Sequence, residues 1–184
     1  MALVEIMIEL DDELEYVRQR LGDMQKRAPM VIRTAINKTA KAAKKQDDSL
    51  TKRTYTAKGD IHALKMTSAS VGNLTAILRD SGSNISMTHF NHYAGKGRVS
   101  AVINTTHGRR TLGKYGNKAF SNGLANGGSG IAVRLGKSRL PIEKMASISS
   151  PVMHGNDGTW GTIEPEVRQM LHENIEKELE RILG

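Results

Sequence analysis

Two helical stripes, separated by a glycine-rich polar middle, fix most of what this sequence can fold into. Ile163, Val167, Met170, Leu171, Ile175, Leu179 and Ile182 recur at three- and four-residue spacing. Glu164, Pro165 and Glu166 fall in the expected first turn, where acids meet the positive end of the helix dipole. A C-terminal helix over residues 163–183 follows. A second stripe starts at Ala28, with Pro29 suited to a first turn. At about 100° per residue, Arg33, Asn37, Lys38, Lys41, Lys44 and Lys45 share an arc of about 140°. Ile32, Ile36, Ala40 and Ala43 fall opposite. This predicts an amphipathic helix over residues 28–46 with one basic face and one apolar face of small residues, which lets a neighbour approach its backbone closely.

The remaining segments are β-like or irregular. Val4, Ile6 and Ile8 alternate with Glu5 and Glu9, the pattern of a half-buried strand. Asp12 and Glu15 have the form of a capping box, and Leu10, Leu14, Val17 and Leu21 follow at helical spacing up to Gly22. Residues 1–22 therefore read as an acidic strand followed by a helix over 12–21. Residues 66–150 are rich in Gly, Ser, Thr and Asn, with short alternating runs at 73–79, 85–90, 99–103 and 130–134. They predict a small, mainly antiparallel sheet with long loops. Thr105–Asn117 and Ser121–Ser129 are too polar to pack alone and are candidates for order gained on assembly. The fold class expected is α+β, as a single domain over residues 1–184, its sheet packed beneath the basic helix and the C-terminal helix.

Composition narrows the function. Hydrophobic residues make up 38% of the chain and aromatics 4%, so the core is aliphatic, with nine Met, and thin enough for partners to complete it. The absence of cysteine removes disulfides, thiolate metal sites and a cysteine nucleophile. The acidic N-terminus does not resemble a secretory signal, and no apolar run nears the ~20 residues that cross a bilayer. A soluble protein made and kept in a cytoplasm is expected, where the sequons at Asn73, Asn84 and Asn104 carry no meaning. The net charge is +8, with six acids and no base in residues 1–15. Residues 26–58 hold ten bases against Asp47 and Asp48, which matches the whole surplus.

No catalytic, cofactor or metal site is expected. Gly136-Lys137-Ser138 lacks the earlier glycine of a phosphate-binding loop, because Ile131 stands there. His89 and His92 form an H-x-x-H pair without an adjacent acid, and His62, His107, His154 and His172 are scattered. No G-x-S-x-G elbow occurs, and the acids between 59 and 162 are only Asp60, Asp80, Glu143 and Asp157. A nuclease would lack its carboxylate cluster. The basic helix has two readings: a solvated or subunit-facing surface, complementary to the acidic N-terminal strand and C-terminal helix of neighbouring copies, or a sequence-blind hold on nucleic-acid phosphates. The few aromatics argue against stacking platforms for single strands.

Three stretches, in order and spacing, resemble the minor tail protein Z family of tailed bacteriophages, the lambda-type tail completion proteins. They are Ala35-Ile36-Asn37-Lys38-Thr39-Ala40, which opens the basic helix; Lys118-Ala119-Phe120-Ser121-Asn122-Gly123; and Val133-Arg134-Leu135-Gly136-Lys137-Ser138-Arg139-Leu140-Pro141-Ile142-Glu143, with Ser150-Pro151-Val152 beyond it. The resemblance covers about residues 28–153. It implies an α+β virion component at the head-proximal end of the tail, assembled in the bacterial host cytoplasm. Such a protein completes the tail and helps join it to a filled head. It also implies a homo-oligomeric ring, commonly sixfold, in contact with the tail terminator, tail tube and head-completion proteins, and with the packaged DNA end as a further candidate.

The residues fit such a role. Arg134, Lys137 and Arg139 are candidates to hold an acidic surface on the next subunit. Leu140, Pro141 and Ile142 are expected to fix a bend and an edge strand, since Pro141 has no N–H for a central ladder. Around a channel, Arg33, Lys38, Lys41, Lys44 and Lys45 would face DNA. The alternative is a free, sequence-nonspecific nucleic-acid-binding protein that uses the helix over 33–45.

Overall fold

In a computed structural model that describes residues 1–9, 13–57, 59–95, 97–123 and 129–184, the basic helix spans Ala28–Thr54. With the N-terminal strand Ala2–Ile8 as β1 and the helix Glu13–Leu21 as α1, it is α2. It runs well past the expected end at 46. Two polar residues keep its inward stripe in register: Ile32, Ile36, Ala40, Ala43, Asp47 and Thr51 are all fully buried. The C-terminal helix also starts early, spanning Trp160–Leu183, with Pro165 inside it and not at its first position. A turn that precedes it accounts for this, because the Thr159 hydroxyl donates to the carbonyls of His154 at 2.8 Å and Asn156 at 3.0 Å. Ile163, Val167, Leu171, Ile175 and Leu179 of the expected stripe are buried.

The fold is α+β, and the chain forms two compact units. A helical unit comprises Leu3–Ser49, Ala63–Asp80 and His154–Gly184. Its sheet has the order β1-β3-β2, with β2 at Lys65–Thr67 and β3 at Ala76–Gly82. Ile6 and Ile8 turn inward while Glu5, Met7 and Glu9 face out, as the alternation predicts. Val17 and Leu21 of α1 are buried, and α1 packs on the C-terminal helix. There the Tyr16 hydroxyl donates to Glu176 Oε1 at 2.7 Å. The expected cap at Asp12 and the apolar Leu10 lie outside the described residues.

The β unit comprises Met1–Ala2, Leu50–His62 and Ser81–Met153. Its strands are β4 (Asn84–Ser86), β5 (Asn91–Gly95), β6 (Arg98–Val102), β7 (Arg110–Thr111), β8 (Gly113–Lys114), β9 (Asn117–Lys118), β10 (Phe120–Gly123), β11 (Ser129–Arg134), β12 (Ile142–Lys144) and β13 (Ala146–Ser149). They pair antiparallel as short ladders, ordered β10-β11-β12, β5-β6-β7, β13-β4 and β8-β9. The short helix α3 (Ser150–His154) follows, so the C-terminal helix is α4. Tyr55, Ile85, Met87, Phe90, Val99, Leu112, Ile131 and Met153 build one buried cluster.

The run expected as a strand over 85–90 turns into a 3-10 helix at Met87–His89, where Ser86 Oγ accepts from the Thr88 N–H at 3.4 Å. Thr105–Asn117, expected to lack independent structure, contributes β7 and β8. Leu112 anchors it, since it is buried and bonds Val99 O at 2.8 Å. Of Ser121–Ser129, residues 124–128 lie outside the described region. β8 and β9 are joined by Tyr115 and Gly116, with φ of 55° and 73°, the two positive values of a type I′ turn. Gly116→Ala is therefore expected to cost about 1 kcal/mol in thermal unfolding. Gly136→Ala, with ordinary φ and open space around its Cβ direction, is expected to be neutral. No helix among the described residues is long and apolar enough to cross a membrane.

Candidate interaction surfaces

The basic face of α2 forms as expected, but its cations are not equivalent. Lys41 and Lys45 are exposed and Arg33 is half-buried. Lys38 is bound to the Glu178 carboxylate, and Lys44 Nζ reaches Asp48 Oδ2 at 2.6 Å. Asn37, on the same face, exchanges hydrogen bonds with the backbone of Ala69 at 2.8 and 3.0 Å. Internal contacts thus engage three of the six polar residues that define the arc. That leaves less of this face for a phosphate backbone than the sequence suggested.

Glu178 is a buried acid on α4, one turn on from Ile175. Arg181 also donates to it, at 2.9 and 3.1 Å. Burial pushes its carboxyl up, but Lys38 and Arg181 together outweigh burial and hold it below its ordinary value.

Asp47 and His154 are a pair that sequence reasoning missed. Both are fully buried, and His154 Nδ1 is hydrogen-bonded to Asp47 Oδ2. Asp47 Oδ1 is buried without a hydrogen-bond partner. Burial pushes the Asp47 carboxyl up, against the hydrogen bond and charge of His154. A signal was present, because Asp47 extends the Ile36, Ala40, Ala43 stripe at helical spacing. Asp48 lies alongside, and ligand atoms of Asp47, Asp48 and His154 fall within 4.8 Å of one another, a geometry that can hold a cation. Lys44 and the Leu64 N–H, at 2.9 Å, already occupy the Asp48 carboxylate, however. The Lys44 ammonium would repel a metal ion there. The cluster therefore reads as an internal polar lock, which fastens α2 within the helical unit.

The third surface is the loop from Arg134 to Ile142, two residues that face each other across the β11–β12 ladder. Arg134 is turned back on its own unit. Its guanidinium lies 5.5 Å over the Phe120 ring and donates to Ser138 O at 3.4 Å. Asn117 Nδ2 bonds the carbonyls of Arg134 at 3.0 Å and Gly136 at 3.2 Å, while the Leu135 N–H bonds Pro141 O at 3.1 Å. Pro141 leads into β12, an edge strand. Lys137 and Arg139 stand exposed beside Leu135 and Leu140, which expose 44% and 67% of their surface.

On the helical unit, the edge strand β1 and helix α4 line a groove of about 740 Å³. Its floor includes Val4, Ile6 and Leu171, and Glu5, Glu9, Glu164 and Arg168 stand along it, with Arg79 on Glu5 at 2.6 Å and Arg168 on Glu164 at 3.0 Å.

The charge surplus belongs elsewhere than the sequence suggested. The β unit carries thirteen Lys and Arg against two acids, Asp60 and Glu143, for a net of +11. The helical unit carries fourteen against seventeen, for a net of −3. The part of the basic segment up to Ser49 is offset by acids that fold into the same unit, and the rest belongs to the β unit. Residues 81–142 hold nine cations and no acid at all. No family model, curated protein or solved structure matches the chain.

Proposed function

We propose that this chain is a structural virion protein of a tailed bacteriophage, completing the head-proximal end of the tail and helping to join it to the head through ring-like self-assembly. The observation that carries this reading is the 135–140 loop. It presents two apolar side chains and two cations to solvent while Asn117, Arg134 and Pro141 fasten it from behind. A preorganised amphipathic loop gives up little conformational entropy on docking. Its residues also belong to the longest stretch of the resemblance to the tail completion family.

The complementary surface on the next copy is the acid-lined groove between β1 and α4. Leu135 and Leu140 would bury against its apolar floor while Lys137 and Arg139 meet Glu9 and share Glu5 and Glu164 with their present partners Arg79 and Arg168. Different patches on the two partners make the contact heterologous, and a closing rotation turns such contacts into a ring. The tail terminator, tail tube and head-completion proteins are the outside partners of this role.

Light scattering of the purified protein, alone and with isolated tails, tests the reading. Concentration-dependent closed oligomers that associate with tails are expected. Leu140→Asp should abolish association and leave the melting temperature unchanged, because the side chain is exposed. A strictly monomeric protein that ignores tails would overturn the proposal.

A further inference from the structure

We propose that the open face of the β5–β6–β7 sheet binds the phosphodiester backbone of nucleic acid, with Arg98 and Arg109 as the principal contacts. The cross-strand register puts Tyr93, Ser100 and Thr111 on one rung and Gly95 beside Arg98 two rungs along, on the same face. These five residues and Arg109 line an open concavity of about 480 Å³. Arg109 reaches the Ser100 hydroxyl at 3.5 Å. The lining offers two guanidinium groups and three hydroxyls, with no carboxylate and no aliphatic side chain.

Phosphodiester oxygens only accept hydrogen bonds, so a site made of donors suits them. Guanidinium forks match their geometry. Gly95 contributes by lacking a side chain: a Cβ there would lie 2.9 Å from the Tyr93 hydroxyl, so glycine lets the tyrosine ring fold down over β5.

The surroundings favour a polyanion over an acidic protein. The β unit's two acids are both engaged, Asp60 with His89 at 2.7 Å and Glu143 with Lys114 at 2.8 Å and Tyr115 at 2.9 Å. Neither Arg98 nor Arg109 is paired with a carboxylate among the described residues. A protein-docking site would place an apolar centre inside a polar rim, and this concavity has none. One tyrosine is too little for a stacking track, so recognition rests on the backbone and is blind to sequence. The site shares no residue with the 135–140 loop or the β1–α4 groove, so its failure would leave the docking role standing.

Fluorescence anisotropy of the full chain with a labelled duplex of about 20 base pairs, titrated from about 50 to 200 mM salt, tests the site. Binding should weaken steeply with salt. Replacing Arg98 and Arg109 together by Ala should lower affinity at least about tenfold and flatten the log–log salt slope by about two units. Replacing both by Lys should keep most of the slope but reduce affinity. Lys41→Ala with Lys45→Ala on α2 should change neither quantity. Both arginines are exposed, so unfolding curves of the variants should overlay that of the wild type, and the Lys pair gives the reading if the Ala pair fails to fold. The inference is overturned by absence of salt-dependent binding at low ionic strength, by a wild-type slope in the Ala pair, by an equal loss in the α2 pair, or by a sheet variant that loses self-association and not duplex binding.

Discussion

Asp47→Ala is expected to lower the free energy of unfolding by about 3–5 kcal/mol, the range for breaking a buried charged pair on one side. Asp47 and His154 are both sealed from solvent, so neither can recover water when its partner is removed. His154 Nδ1 would lose the acceptor it has in Asp47 Oδ2. Asp47→Asn should cost markedly less, because an amide oxygen still accepts from the ring and no charge remains to be buried. The pH dependence separates this account from simple cavity formation. The Asp47 carboxyl is raised above its ordinary 3.8 in the folded chain. The unfolded chain therefore releases this proton first as pH rises. The share of stability tied to this proton is fully present below 3.8 and is lost as pH climbs through the raised folded value, while the bond to His154 remains. The amide of the Asp47→Asn variant cannot titrate, so the advantage of wild type over that variant should shrink on going from pH about 3.5 upward and then level off. Urea unfolding across that range measures it. An Asp47→Ala protein as stable as wild type would show that the pair is hydrated in solution.

The same pair shows how far the sequence could be read. Apolar residues at helical spacing located α2 and α4 and the inward faces of both, because burial imposes a period on hydrophobicity. The end of α2 escaped because its stripe continues through the polar Asp47 and Thr51, and the polarity of Asp47 is offset by His154, far along the chain. Asp47 and His154 are 107 positions apart, a pairing no local pattern encodes. The strands of the β unit were located only coarsely. Several are two to four residues long, too short for alternation to register. The charge distribution was misplaced for a related reason: each unit is assembled from three separated segments, so a running sum along the chain mixes surfaces that folding separates. The resulting units, one near balance and one at +11, account for why the cationic face argued above lies on a sheet and not on the conspicuous basic helix. The loop from Arg134 to Ile142 was legible as a segment. That Arg134 would brace it from within, with Lys137 and Arg139 left outside, depended on Phe120 and Ser138.

Glu178→Ala is expected to cost about 2 kcal/mol, less than Asp47→Ala although both carboxylates are buried, because the partners differ. Lys38 and Arg181 remain 56% and 67% exposed at the side chain, so both can rehydrate once the carboxylate is gone. The lost stability is then that of two charge-assisted contacts and a small cavity, without a stranded buried ion. The pH signature is opposite to that of Asp47. Lys38 and Arg181 overcome burial and hold the folded carboxyl below its ordinary 4.5. The folded chain therefore keeps its negative charge at pH values where the unfolded chain has taken up a proton. The contribution is fully present above 4.5 and disappears as pH falls through the folded value. The gap between wild type and Glu178→Gln should thus be flat at neutral pH and close on acidification, while the gap between wild type and Asp47→Asn widens over the same descent. A Glu178→Gln gap that grew as pH fell would mean that burial, not the two cations, governs this carboxylate.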